Sequence, residues 1–107
     1  MSDDSTLTLT DHTGRKIRLT GERRAHILEH PEMSDQFERI VETISMPETV
    51  IATNADATVH IYHRFYEMTP VTSKFLQVVV KLLEEDAFVL TAFFSRQMKK
   101  GTTIWKA

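Results

Sequence analysis

Residues 75–94 read FLQVVVKLLEEDAFVLTAFF, two runs rich in β-branched and aromatic residues on either side of Glu84, Glu85 and Asp86, three acids that would be costly to bury. The pattern predicts two adjacent antiparallel strands joined by a short acidic loop, in the middle of a sheet. Side chains alternate across a strand, so the register decides which residues share a face. A three-residue loop at 84–86 sets Leu83 opposite Ala87, Lys81 opposite Val89 and Val79 opposite Thr91, which leaves Lys81 and Thr91 on one face. A two-residue loop separates them. Lys81 sits between Val80 and Leu82, so its face opens either to water, as a lysine that discourages edge pairing, or to an anionic partner.

The chain has 107 residues, enough for one domain with a modest core, expected to span 1–107 with a flexible start at 1–5. There is no cysteine, hence no disulfide and no thiolate metal site. No apolar run approaches the roughly 20 residues that cross a bilayer and the start is not a signal peptide, so the expected location is cytoplasmic, away from membrane. A net charge of −2 gives no overall pull toward nucleic acid, but two basic groups stand out: Arg15, Lys16, Arg18, Arg23 and Arg24, then Arg96, Lys99, Lys100 and Lys106.

Working outward from the central hairpin, residues 6–10 and 16–19 alternate around Asp11, His12, Thr13 and Gly14 and predict an N-terminal β-hairpin that packs as an arm. Thr20 is a candidate cap for a first helix over 22–29, stopped by Pro31. Arg23, His26 and His30 fall on one side of it. His26 and His30 have the i, i+4 spacing of metal ligands, but without an HExxH glutamate the signal is weak. Asp35 and Glu38 resemble a capping box for a second helix, whose Phe37, Ile40, Val41 and Ile44 form an apolar stripe. Residues 49–53 and 57–66 read as strands; in the second, His60, Tyr62, Arg64 and Tyr66 share a face. Residues 103–106 form a short last strand. The expected architecture is α+β: an N-terminal β-hairpin and two helices packed on a four-stranded antiparallel sheet.

Metal-independent RNA cleavage needs a proton acceptor, a proton donor and cations around phosphate. Histidine suits either proton role. His26 is the first candidate, with Arg64 as phosphate clamp, Lys81 as a second cation and Thr91 to orient a phosphate or ribose oxygen. Arg23, His30, Tyr62, Tyr66 and Lys99 are candidate substrate contacts, the tyrosines through stacking or a phenolic hydrogen bond. No cofactor or metal is called for. Trp105 reads as a clasp for the chain end.

The stretch His26-Ile27-Leu28-Glu29-His30-Pro31-Glu32, then Thr43-Ile44-Ser45-Met46-Pro47, Val78-Val79-Val80-Lys81, Phe88-Val89-Leu90-Thr91-Ala92-Phe93 and Lys99-Lys100-Gly101 with Trp105, resembles phage-associated nuclease-like domains of the barnase/EndoU/colicin/RelE-like group. The resemblance extends over residues 18–106. It implies N-terminal helices beside a four-stranded antiparallel sheet, RNA as substrate and a cognate inhibitor or immunity protein. It matches His26 to the helix histidine, Lys81 to a strand lysine and Thr91 to a strand hydroxyl. Phe93 stands where tyrosine is expected. The rival readings are a catalytically inactive binding module or small structural protein of the same fold, and a metal-dependent hydrolase using His26 and His30.

Overall fold

A computed structural model describes residues 6–107; the start at 1–5, expected to be flexible, lies outside the described residues. Nearly every run with alternating apolar residues becomes a strand: β1 (Leu7–Thr10), β2 (Lys16–Leu19), β3 (Thr49–Thr53), β4 (Val59–Tyr66), β5 (Lys74–Leu83), β6 (Asp86–Ser95) and β7 (Gly101–Lys106). Between β2 and β3 lie α1 (Gly21–Leu28), a single 3-10 turn (Pro31–Met33) and α2 (Phe37–Ser45). Thr20 caps α1 by accepting from the Arg23 N–H at 3.1 Å. The expected capping box of α2 does not form: Gln36 is the cap residue, and Asp35 instead accepts from its amide at 2.8 Å.

The expectation of a four-stranded antiparallel sheet is corrected. Two helices pack against a single seven-stranded mixed sheet in the order β1-β2-β6-β5-β4-β3-β7. The N-terminal hairpin is part of the sheet, because β2 pairs with β6 in parallel at Arg18 and Phe88. A forked Arg18–Asp86 ion pair, with N···O distances of 3.0 and 2.7 Å, ties the same two strands together. At the other end β7 pairs with β3, extending the meander by one strand.

Inside the central hairpin the two-residue alternative is the one that forms. Leu83 pairs with Asp86, so the loop is the two residues Glu84 and Glu85. That register alone would place Thr91 opposite Val78, on the face away from Lys81. A bulge intervenes: Val80 pairs with Val89 but Val79 with Thr91, leaving Leu90 as the extra residue. Thr91 thereby returns to the face of Lys81.

The two faces differ in kind. Ile27, Met33, Ile40 and Ile44 from the helical segment bury against Leu76, Val78, Val80, Ala87, Val89 and Ala92. α2 lies over β4 and β5 and reaches β1, while α1 lies over β6. The opposite face carries rows of cross-strand neighbours: Phe65, Phe75 and Ser95; His63, Gln77 and Phe93; Ile61, Val79 and Thr91; Val59, Lys81 and Phe88. Residues 96–100 must cross that face to carry the chain from β6 to β7. Four strand spacings total about 19 Å on a flat sheet, and the six steps from Ser95 to Gly101 reach about 21 Å, so this strap has little slack.

Gly101 marks where the strap becomes β7. A Cβ there would collide with the Ala52 carbonyl oxygen and lie 2.8 Å from Ile51 Cδ1. Gly101→Ala is expected to destabilise the fold by about 1–3 kcal/mol, with enhanced amide exchange concentrated in β7; unchanged urea midpoint and exchange would contradict this packing.

Candidate functional site

The candidate site assembles around the tip of the β1–β2 hairpin. Asp11 to Arg15 form a tight turn in which Asp11 N–H donates to Arg15 O at 2.9 Å and Gly14 N–H to Asp11 O at 3.0 Å. Gly14 takes φ +91°, a left-handed value that glycine adopts freely. One oxygen of the Asp11 carboxylate accepts from Thr13 N–H, Thr13 Oγ1 and Arg15 N–H at 2.7 to 2.9 Å. The other accepts from Tyr62 Oη at 2.7 Å, across 51 residues of sequence. The turn organises its own backbone and is latched to β4 through the same side chain.

This latch closes one wall of a cleft of about 140 Å³ lined by Asp11, His12, Thr13, Arg15, Val50, His60, Tyr62, Ile104 and Trp105. The His12 ring packs 4.3 Å from the Trp105 ring and 5.9 Å from that of Tyr62. The sheet curls far enough for its first hairpin to touch its last strand. Buried His12 Nδ1 has no hydrogen-bond partner, so packing positions this imidazole.

Electrostatics separate the groups. Burial raises the Asp11 carboxyl's hold on its proton, but the bonds from Tyr62, Thr13 and Arg15 outweigh it, so its pKa lies below the ordinary value. Tyr62 is pushed far up, first by burial and then by its bond to Asp11, and stays protonated as a donor. His60 is held below the ordinary imidazole value by burial and the Arg15 charge, which outweigh the Ala57 carbonyl and Asp11. A neutral imidazole, a guanidinium and a second histidine thus face one opening.

Of the candidate site residues named from sequence, only Tyr62 lines this cleft, and its hydroxyl is committed to Asp11. His26 lies on α1 beside Arg23 in a recess of about 260 Å³ also lined by Glu22, its ring 6.3 Å from that of His30. Arg64 Nη1 donates to Met46 O at 2.7 Å, and its Nε stands 3.7 Å from Glu42. Tyr66 Oη bonds Glu42; burial, and after it this bond, raises the Tyr66 pKa to about 12. Lys81 shares a face with Thr91, but its ammonium is occupied by Asp56 at 2.9 Å and Thr58 at 2.7 Å. The helices cover the other face, so the sheet itself stands between His26 and the pair Lys81 and Thr91. Lys99 lies in the strap, where its N–H donates to buried His63 Nε2 at 3.1 Å. Among the described residues no three His, Asp or Glu side chains gather into a candidate metal site.

Sequence reasoning passed over Asp11, His12, Arg15 and His60. The Asp-x-Thr-Gly turn marked the hairpin, and His60 was on the polar face of β4, but nothing local indicates that a turn at one edge of the sheet meets a strand near the other.

Tyr62→Phe removes a buried bond to a charged acceptor and is expected to cost about 1.5–3 kcal/mol in urea unfolding; no loss would mean the latch is not formed. Burial also holds His63 below its ordinary value, more than the Thr49 and Ile61 carbonyls raise it. With His60 and His63 both depressed, the folded chain binds fewer protons than the unfolded one just below pH 6.5, the ordinary imidazole value. Stability is therefore full above that pH and declines as pH falls toward the folded-state values. His63→Gln keeps an acceptor for the Lys99 N–H without titrating, and should reduce that slope; an unchanged slope would remove His63 from it. Compared with protein-family models, curated proteins and solved structures, the chain matches none.

Proposed function

We propose that the chain is a metal-independent endoribonuclease whose acid–base pair is His60 and His12. The observation that carries this reading is their meeting with Arg15 in one cleft walled by Trp105. A cleft of about 140 Å³ is below the range of sites that enclose whole small molecules. It suits a phosphate and its adjoining ribose, with the bases left outside.

The chemistry follows from the two imidazoles. Neutral His60 accepts the proton of the RNA 2′-hydroxyl as that oxygen attacks phosphorus. The bond from phosphorus to the 5′-oxygen breaks, and His12, as general acid, supplies the proton that the leaving oxygen needs. The products are a 2′,3′-cyclic phosphate and a free 5′-hydroxyl. Arg15 pairs with the non-bridging oxygens as charge concentrates there. Tyr62 and Asp11 make no contact with the reacting atoms in this scheme; they hold the turn that presents His12 and Arg15. Trp105 offers an aromatic wall to the sugar or a flanking base.

Purified protein with end-labelled single-stranded RNA and chelator provides the test. Cyclic-phosphate products are expected, with His60→Ala and His12→Ala each slowing cleavage by about 10²–10⁴-fold. On the acid side the rate should fall below pH 6.5, through protonation of His60. His26→Ala and Lys81→Ala should cleave normally. Absence of cleavage at high protein concentration, or cleavage that survives loss of both His12 and His60, overturns the proposal. Activity abolished by His26→Ala would move the chemistry to α1.

A further inference from the structure

The sheet face away from the helices is crossed by the strap but not covered by it. Gln77 Nε2 donates to Gln97 O at 2.9 Å, and Lys99 N–H donates to His63 Nε2, so the strap is fastened over β4 and β5. Ile51, Ile61, His63 and Gln77 are buried on that face. Beyond the strap, Phe65 is 39% and Phe93 40% exposed. Phe65 and Phe75 meet edge to face with centroids 5.1 Å apart. Phe75 lies on β5 and pairs with Ser95, from which the strap departs; Phe93, on β6, lies in the next row beside Gln77 and lines the groove against the strap.

Its border along the strap is basic, while at the Phe65 end the Glu48 carboxylate accepts from the Phe65 N–H at 3.0 Å. Arg96, Lys99 and Lys100 make up three of the strap's five residues, all exposed, and none is in an ion pair among the described residues. Gln77, Phe93, Ser95, Gln97, Met98, Lys99 and Lys100 line an open groove of about 440 Å³ between the strap and β6. Gln77 supplies an independent observation. It is only 2% exposed, its amide is oriented by the bond to Gln97, and its Oε1 is left without a hydrogen-bond partner.

We infer that this face docks single-stranded nucleic acid, with bases against Phe93 and the Phe65–Phe75 pair and the phosphate backbone along Arg96, Lys99 and Lys100. Aromatic faces accept any base, and a basic track matches a polyanion. The base over Phe93 lies beside Gln77, which lines the same groove. The sheet separates this surface from the hairpin cleft, so it is a second surface for the strand, independent of the proposed cleavage.

The test is binding of a fluorescently labelled short 2′-deoxy oligonucleotide, which lacks the 2′-hydroxyl and cannot be cut by the proposed chemistry. Phe93→Ala should weaken binding about tenfold. Lys99→Ala with Lys100→Ala should flatten the salt dependence, by about 0.7 in log–log slope for each phosphate no longer neutralised. His26→Ala, on α1 and outside both surfaces, should bind like the parent chain, and sedimentation should report a monomer. Absence of salt-dependent binding, binding indifferent to Phe93, or a dimer dispersed by Phe93→Ala would each overturn the inference, whatever the cleavage assay returns.

Discussion

The short reach of residues 96–100 governs how the sheet can be used. β7 belongs beside β3, so the chain leaving β6 must pass over β5, β4 and β3 with almost no spare length. A crossing that tight cannot loop through solvent. It lies on the sheet and exchanges hydrogen bonds with His63 and Gln77, side chains that a bare sheet face would leave to water. The burial of Ile51 and Ile61 outside the main core, and the need for glycine at 101, follow from the same closeness. One face is thereby divided into a covered half and an open aromatic half.

The opposite face is organised by a carboxylate. Asp11 spends one oxygen on its own turn and the other on Tyr62, so a single side chain joins local order to tertiary order. The arrangement tolerates burial because the charge is matched by four donors from three residues. Its consequence is positional: the turn is carried over β4 toward β7, bringing Arg15 close enough to depress His60 and seating His12 on Trp105. An edge hairpin becomes the rim of a cleft.

Charge placement separates structural cations from available ones. Arg18, Arg64 and Lys81 are committed to Asp86, to Met46 O and Glu42, and to Asp56. Arg15 in the hairpin turn and the strap's Arg96, Lys99 and Lys100 have no ion pair among the described residues. A chain with net charge −2 can thus still present local positive surface, among other places at the hairpin turn and along the strap on opposite sides of one sheet.

The local elements were legible because they rest on short-range patterns. Alternation marked the strands, the Phe37, Ile40, Val41 and Ile44 stripe marked α2, and Thr20 marked the start of α1. Strand number was not legible, since the β2–β6 and β3–β7 pairings join segments that carry no mutual signature. The face shared by Lys81 and Thr91 shows how thin the margin is: the two-residue loop alone would separate them, and the bulge at Leu90 brings them back together. Composition and periodicity by themselves determined which segments are helix or strand and which residues were chemically able to act. Only the tertiary structure decided that His12 and Arg15 meet His60 while His26 stays apart from Lys81, because side-chain convergence depends on sheet order, curl and register, which are set by contacts distant in sequence.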